Sequence, residues 1–253
     1  MAICVCIQMM QGLTGMVRYR LDMEINILHM IDGARSATGL TVIIDVFRAY
    51  SMEAYLLERG AKLIIPVADV DYCYELKKKN PDVILAGERH GVILHGFDTG
   101  NSPSQLEWLD IRDKIVVHTT SAGTQGVANA IHADEILGGS LVNAKATAEY
   151  IKQRNPKQVS LVCMGLEALC QTEEDNLCAA YIKSLLENDP IDILTEIDKL
   201  KYTSGAKFFD KFQQHVFPEK DFYMCTELDK FNFVLKLEKG DKGLNYIQKV
   251  ELA

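Results

Sequence analysis

The sequence predicts an α/β protein with three layers, in which helices cover both sides of a mostly parallel or mixed central sheet. From residue 41 onward, short runs rich in β-branched residues alternate with amphipathic helical stretches, a pattern typical of parallel strands joined by crossover helices. The chain has 253 residues, 48% of them hydrophobic and 25% charged, which is enough for one sizeable core. We therefore expect a single α/β domain over residues 23–253.

The strands and helices of this domain can be assigned along the chain. The best strand candidates span residues 41–47, 62–67, 83–86, 114–118, 135–137 and 158–163. Helices are expected between them, near residues 51–59, 70–79, 126–132, 143–153 and 173–187. After Pro190 the pattern changes to charged helical segments over residues 191–212, followed by a last helix and a strand at 233–237.

Residues 1–22 differ from the rest of the chain. Their apolar stretch, residues 2–7, is not preceded by basic residues and is too short to span a bilayer. Met23 precedes a more ordinary strand-like segment, residues 25–28. We expect residues 1–22 to be either an extension of uncertain order or a structural N-terminal strand.

Charge and cysteine content restrict the protein's partners and location. The formal net charge of -8 provides no basic surface for nucleic acid or an anionic membrane, so we expect neither as a partner. The seven cysteines are odd in number and scattered, which favours reduced thiols in the cytoplasm over disulfides or a zinc site. An anionic substrate would need a few local cations, backbone amides or a metal ion. Whether the chain forms a homo-oligomer is left open.

The first candidate site residues follow the strand predicted at 41–47. Ligands of open α/β sheets bind beyond the carboxyl ends of the strands, and Asp45 and Arg48 lie there. They are interpreted either as a catalytic or metal-binding carboxylate beside an anion-binding guanidinium, or as a strand-end ion pair.

A second group lies in residues 87–104, an irregular segment with four glycines that we interpret as an active-site loop. Glu88 and Arg89 open it, and Asp98, Asn101 and Ser102 follow in a stretch where Pro103 is suited to begin a helix. In one interpretation, Asn101 or Ser102 caps that helix, and the free amides of the helix receive a phosphate oxygen. In the other, the stretch is a turn chosen for its backbone geometry. The triplet at residues 89–91 matches that of histidine phosphatases but follows the wrong strand, so His90 is interpreted as a loop residue.

A third group combines hydroxyls with acids. Residues 119–124 join the fourth strand to a helix and resemble a phosphate cradle, although a plain helix-capping cluster is the alternative. Glu174 and Asp175 open the helix at 173–187, where they either bind a cation or stabilise the helix start. Since Mg²⁺ needs only one or two protein carboxylates, Asp45 with one of these acids would suffice.

Together these segments resemble the 2-phosphosulfolactate phosphatase (ComB) family of coenzyme M biosynthesis. The resemblance covers most of residues 41–180, and its most specific block is the stretch from Gly96 to Pro103. The other matching blocks are residues 45–49, residues 87–91, the threonine-rich turn at 119–124 and the acidic pair at 174–175. The resemblance implies a phosphatase domain over residues 23–253 that requires magnesium and converts 2-phosphosulfolactate to sulfolactate and phosphate.

The residues and the resemblance together lead to a mechanistic hypothesis that gives each candidate residue a role. The catalytic acids would be Asp45, Glu88 and Asp98, and the magnesium ligands would be Asp45 with Glu174 or Asp175. The substrate phosphate would be bound by Arg48, Ser51, Arg89, Asn101, Ser102, Thr119, Thr120, Ser121, Gly123 and Thr124. We expect these residues to meet on a common rim, and we expect Arg48→Ala to lower turnover about a hundredfold while leaving folding intact.

The chain departs from the family pattern at Tyr50, Met52 and Ala122. These differences keep two alternatives open. One is an anion-binding protein that has lost hydrolysis, and the other is a metal-dependent lyase acting on phosphorylated acids.

Overall fold

A computed structural model describes residues 23–240 and 243–252. The predictions for residues 1–22 lie outside these ranges. Within the described residues there are ten strands: β1 Glu24–His29, β2 Gly39–Ile44, β3 Leu63–Pro66, β4 Ile84–Arg89, β5 Val92–Ile93, β6 Ile115–Thr119, β7 Ala133–Gly139, β8 Gln158–Cys163, β9 Phe233–Glu238 and β10 Tyr246–Glu251.

The same residues contain eight α-helices: α1 Met30–Ser36, α2 Ala49–Glu58, α3 Val70–Lys79, α4 Gly123–Asn129, α5 Ala144–Arg154, α6 Glu173–Glu187, α7 Ile193–Lys199 and α8 Glu219–Thr226. Short 3-10 helices lie at Pro103–Trp108, Leu141–Asn143, Leu200–Tyr202 and Ala206–Phe209. None of these helices is long and apolar enough to cross a membrane.

The strands form one mixed sheet in the order β1-β8-β2-β7-β9-β10-β3-β6-β4-β5. Strands β1, β8, β2 and β7 are parallel to one another, and so are β3, β6 and β4. The hairpin of β9 and β10 joins these two blocks through antiparallel pairings on both sides. The predicted three-layer α/β/α fold with a mixed sheet is confirmed.

Side-chain alternation along β2 shows how the layers are built. Leu40, Val42 and Ile44 face the cluster formed with α5 and α6, whereas Ile43 faces the cluster formed with α1, α2 and α4. Successive side chains of a strand point to opposite faces, so a strand buried on both faces is apolar at almost every position. Burial of both faces explains the continuous apolar run that predicted this strand.

The pairings also place the two parallel blocks in opposite directions. Since β9 is antiparallel to β7, and β10 is antiparallel to both β9 and β3, strand β3 runs against β7. In a flat sheet, the carboxyl ends of the two blocks would lie at opposite edges. The amide of Gly123, after β6, nevertheless donates to Asp45, after β2, so the sheet curves far enough to bring these ends together. Helix α2 is buried along nearly its whole length and packs against strands of both blocks.

Candidate active site

A cavity of about 90 Å³ lies where the two blocks meet. Its walls come from the segments after β2, β4, β6 and β8, from the start of α6 and from the 3-10 helix at Ala206–Phe209. Six of the residues predicted from the sequence line it: Asp45, Arg48, Glu88, Asn101, Ser121 and Glu174. The predicted meeting of acids and a guanidinium from distant segments therefore occurs here.

A second cavity, of about 390 Å³, is larger but lies elsewhere, at the amino ends of β2, β7 and β8. It is lined by residues such as Asp134, Arg154 and Lys157 and contains none of the predicted site residues. Because ligands of α/β sheets bind beyond the carboxyl ends of strands, the smaller cavity is the candidate active site.

Asp45 is fixed at the end of β2 by two backbone amides. Its Oδ1 accepts a hydrogen bond from Ala49 N at 3.1 Å, and its Oδ2 accepts one from Gly123 N at 2.9 Å. A Cβ at position 123 would lie 2.7 Å from Cβ of Ala49 and 3.0 Å from Oδ2 of Asp45, so the close approach needs glycine. Burial raises the pKa of Asp45 to about 6, and the charges of Glu88 and Glu174 add to this shift.

Arg48 lines the cavity but is also part of a buried ion pair. Its Nη1 donates to Asp221 Oδ2 at 2.8 Å and to Val216 O at 2.8 Å. The guanidinium carbon lies 5.0 Å from the ring centroid of Phe217. Asp221 is fully buried, so removing Arg48 would leave a carboxylate without its counter-charge. The buried pair therefore predicts that Arg48→Ala also destabilises the fold, contrary to the expectation from the sequence.

Glu88 reaches the cavity from β4 and is oriented by the turn after β6. Its Oε1 accepts from Ser121 N at 2.8 Å, and its Oε2 accepts from Gly91 N at 2.7 Å and from Ser121 Oγ at 3.2 Å. These contacts hold both oxygens of one carboxylate while leaving it at the cavity wall. Glu88 therefore presents a fixed carboxylate to the cavity.

The turn at residues 119–124 differs from the predicted phosphate cradle. Three of its amides are already used inside the protein, because Ser121 N donates to Glu88, Gly123 N to Asp45, and Thr124 N to Thr120 Oγ1. Thr119 Oγ1 accepts from Arg89, and the hydroxyl of Thr124 donates to the carbonyl of Thr120. The turn thus positions two carboxylates, and only Ser121 of its predicted polar residues borders the cavity.

Arg89 and Asp98 are used in structural contacts away from the cavity. The guanidinium of Arg89 donates to Thr119 Oγ1 and to the carbonyls of Ala68 and Glu88, so it ties β4 to its neighbours. Asp98 Oδ2 accepts from Leu85 N at 2.8 Å and pairs with Lys77 at 3.1 Å. Neither side chain lines the cavity.

Ser51 and Ser102 are buried and also lie outside the cavity wall. The hydroxyl of Ser51 donates to Val46 O and lies 2.6 Å from Ser140 Oγ, which joins α2 to the turn after β7. Ser102 precedes the 3-10 helix that Pro103 begins, as predicted, but its hydroxyl contacts Ser104 Oγ and not a helix amide. The structure therefore does not bring these hydroxyls to a substrate.

The two acids at the start of α6 have different surroundings. Asp175 Oδ1 accepts from Val46 N at 2.8 Å, and its Oδ2 accepts from Gly165 N at 2.8 Å, so this carboxylate joins β2 and β8 to α6. Glu174 lines the cavity, and its buried Oε2 has no hydrogen-bond partner among the described residues. Burial raises the pKa of Glu174, and the ammonium of Lys207 opposes this shift.

A magnesium ion fits Asp45 and Glu174 better than the predicted set with Asp175. Both carboxylates border the cavity, both have raised pKa values, and one oxygen of Glu174 is unpartnered. Within the part of the chain that the structure describes, no cluster of three His, Cys, Asp or Glu residues could hold a metal by itself. Since Mg²⁺ uses one or two carboxylates with water and substrate, two ligands are enough.

Lys207 is a cavity residue that sequence reasoning missed. It lies in a segment predicted as charged helix with no strand end nearby, so no local pattern marked it. Its ammonium lies 5.2 Å from the ring centroid of Phe217 and 5.6 Å from that of Phe208. Burial lowers the pKa of Lys207, whereas Glu174 opposes that shift. No ion pair within 4.0 Å holds Lys207 in the described residues, which leaves its charge available to a bound anion.

His90, interpreted above as a loop residue, also borders the cavity. Its Nδ1 lies 2.8 Å from Oε1 of Glu167, a residue of the loop after β8 that lines the cavity too. The hydrogen bond and charge of Glu167 raise the pKa of His90, which favours the protonated imidazole. The triplet at residues 89–91 drew attention to this histidine, but only the fold supplies its carboxylate partner.

The three departures from the family pattern have different locations. Tyr50 and Met52 are buried in the core, and Tyr50 Oη donates to Gly123 O at 3.0 Å. Ala122 borders the cavity. Of the three, Ala122 is thus the one positioned to affect the shape of the pocket.

Comparison with known proteins identifies the chain's relatives. Residues 26–240 match the family model described as 2-phosphosulpholactate phosphatase. Over 214 residues the chain is 31% identical to a protein of Bacillus subtilis, covering 83% of this chain and 92% of that protein. Over 202 residues it is 38% identical to a protein of Caldicellulosiruptor saccharolyticus, with coverage of 78% and 82%.

Both relatives carry the name "Probable 2-phosphosulfolactate phosphatase". The matched region begins within β1 and ends after β9, so it contains every segment that lines the candidate active site. The resemblance found in the sequence motifs is confirmed: this chain belongs to the 2-phosphosulpholactate phosphatase family.

Proposed function

We propose that this protein is a phosphoric monoester hydrolase that converts 2-phosphosulfolactate, or a closely related phosphorylated hydroxy acid, to the hydroxy acid and phosphate. The observation that carries the proposal is the convergence of Asp45, Glu88, Glu174, Arg48 and Lys207 on one small cavity. Carboxylates there suit a metal ion, and the two cations suit a substrate with several negative charges. Membership of the family supports the same substrate.

The size of the cavity supports a small substrate. Its volume of about 90 Å³ is well below the roughly 300–1,000 Å³ of pockets that hold drug-sized ligands. 2-Phosphosulfolactate has a three-carbon skeleton with phosphate, sulfonate and carboxylate groups. We assign Arg48 and Lys207 to these anionic groups, because both are cavity cations on the side of the pocket formed by Phe217.

Asp45 and Glu174 are the residues that would hold magnesium. When bound, the ion would polarise the phosphoryl oxygens and neutralise part of their charge. Asp45 is kept in place by the amides of Ala49 and Gly123, so its carboxylate is oriented before any ligand arrives. The unpartnered oxygen of Glu174 supports this assignment.

Hydrolysis needs an oriented water and a proton for the leaving oxygen. Glu88, held by Gly91 and Ser121, orients the water that attacks phosphorus and accepts the proton that this water loses. As the ester P–O bond breaks, His90 donates its Nε2 proton to the leaving alkoxide oxygen, and Glu167 stabilises the imidazolium beforehand through Nδ1. Sulfolactate and phosphate then leave.

The pathway and compartment belong to the same proposal. We infer a place in coenzyme M biosynthesis from the family's substrate and a cytoplasmic location from the thiols. The five cysteines among the described residues, Cys73, Cys163, Cys170, Cys178 and Cys225, form no disulfide, which supports a reducing compartment.

The test is a screen of phosphorylated two- and three-carbon acids for phosphate release, with and without added Mg²⁺. The proposal predicts that 2-phosphosulfolactate is the best substrate, that one phosphate appears per substrate consumed, and that chelation of Mg²⁺ stops release. Binding without phosphate release would identify an anion-binding protein. Substrate loss without equivalent phosphate would identify a lyase.

A further inference from the structure

A chain of three buried polar side chains leads from the core to the candidate active site. Glu53 on α2 and His118 on β6 are both fully buried, and Glu53 Oε1 lies 2.8 Å from His118 Nδ1. His118 Nε2 lies 3.3 Å from Asn101 Oδ1. Asn101 is 5% exposed and borders the cavity, whereas Glu53 and His118 do not.

The positions of the hydrogen atoms between these three side chains follow from their contacts. Both nitrogens of His118 face oxygen acceptors, so each contact needs one hydrogen between its two atoms. A neutral imidazole supplies only one of these two hydrogens. Both are present if His118 is charged and Glu53 is ionised, or if His118 is neutral and Glu53 is protonated. In both cases the pair is electrically neutral, which suits its burial, and Nε2–H of His118 donates to Asn101.

This arrangement fixes the amide of Asn101. Because Oδ1 accepts from His118, the Nδ2 group of the same amide points away from the His118 ring. Nδ2 donates to no other protein group in the part of the chain that the structure describes, and it is not among the buried atoms that lack a partner. The two N–H bonds therefore have no protein acceptor among the described residues, in a side chain that borders the cavity.

We propose that Glu53 and His118 are positioning residues that hold Asn101 with its amide N–H groups toward the cavity, where they donate to an anionic oxygen of the substrate. The inference rests on the proposed phosphatase function and extends it to residues that do not touch the substrate. A Glu–His pair in a core is costly to desolvate, and apolar side chains of similar volume would fill the space without that cost. The need to orient Asn101 explains why this costly Glu53–His118 pair is present.

The most direct test is a double-mutant cycle measured as kcat/KM with 2-phosphosulfolactate. Asn101→Ala is expected to reduce kcat/KM about a hundredfold, as loss of a donor to a developing oxyanion typically does. The double change Glu53→Gln with His118→Leu removes the N–H that holds Asn101 Oδ1 and leaves no buried charge, so it should cause a loss of the same order. Glu53→Gln alone should keep most of the activity, because the glutamine amide can donate to Nδ1 of a neutral His118 as protonated Glu53 does. Adding Asn101→Ala to the double change should cost no more than Asn101→Ala alone.

A purely structural role gives a different result. It predicts that the folded double variant Glu53→Gln, His118→Leu keeps the wild-type kcat/KM, or that its loss multiplies with that of Asn101→Ala, and either outcome overturns the proposal. Circular dichroism and melting temperature verify that each variant is folded. Ser184→Ala serves as a control, because its hydroxyl is nearly buried on α6, bonds only to Tyr181 O and lies outside the cavity.

A second readout does not depend on turnover. In nitrogen NMR spectra of histidine-labelled wild-type protein, Nε2 of His118 should be protonated, whichever of the two forms the pair adopts. An unprotonated Nε2 would mean that Asn101 presents its oxygen to the cavity, and the proposal would be wrong. If the wild type releases no phosphate from any substrate, the proposed function fails, and the state of Nε2 alone decides the orientation of Asn101.

Discussion

Replacing Arg48 by alanine should destabilise the protein as well as inactivate it. The Arg48 side chain is 3% exposed, that of Asp221 is 0% exposed, and the two meet at 2.8 Å. Breaking a buried pair by removing one partner costs about 3–5 kcal/mol, because the remaining charge is left buried. For a chain of this size, where 1 kcal/mol shifts the melting temperature by roughly 2–4 °C, the expected loss is roughly 6–20 °C.

Thermal or denaturant unfolding monitored by circular dichroism measures this effect, and phosphate release measures activity. The matched control is the double variant Arg48→Met with Asp221→Leu, in which neither charge remains. It should recover most of the lost stability, since an apolar pair avoids the desolvation cost, yet stay inactive because the cavity lacks its guanidinium. If Arg48→Ala unfolds at the wild-type temperature, the buried pair does not stabilise the fold and the reasoning is refuted.

Three further predictions concern single side chains. Asp98→Asn should keep the wild-type kcat, because Asp98 does not line the cavity. Loss of its partly exposed ion pair with Lys77 should cost at most about 1 kcal/mol of stability. A large fall in kcat of the folded variant would contradict this prediction. Glu167→Gln should lower the pKa of His90 in an NMR titration, since Glu167 raises it. The ion pair of His90 with Glu167 is therefore strongest below this pKa and is lost as pH rises through it. An unchanged pKa of His90 in Glu167→Gln would refute this interaction. Lys207→Met should raise KM by roughly 10- to 150-fold, the equivalent of about 1.5–3 kcal/mol for a hydrogen bond to a charged group, whereas an unchanged KM would exclude Lys207 from substrate binding.

Much of the fold could be predicted because local signals mark many of its elements. The helix at 70–79 and the strand at 158–163 have the predicted bounds. Asp69 caps that helix by accepting from Asp71 N, and lysines occupy its last turn, so both ends are encoded locally. By contrast, β10 was missed because its half-exposed, mixed sequence gains its order from pairing with β9 and β3. The opposite directions of the two parallel blocks depend on the same non-local pairings.

The candidate site was predictable to a similar degree. Strand ends identified Asp45, Glu88 and Arg48, because parallel strands present their carboxyl ends to ligands. Sequence could not reveal which polar groups are already used inside the protein, such as the amides of the turn after β6 or both oxygens of Asp175. Nor could it identify Lys207, which reaches the cavity from a segment without a motif.

In the proposed mechanism, hydrolysis depends on a metal ion held by the acids that line the cavity. The most direct measurement is the Mg²⁺ dependence of phosphate release by the wild type, Glu174→Gln and Glu173→Gln, two changes of the same chemistry at adjacent positions of α6. Glu174 is buried at the cavity, whereas Glu173 is exposed and lies outside it. Glu174→Gln should need far more Mg²⁺ than the wild type for half-maximal activity, while Glu173→Gln should need the same amount. Equal Mg²⁺ requirements in all three proteins would contradict this mechanism.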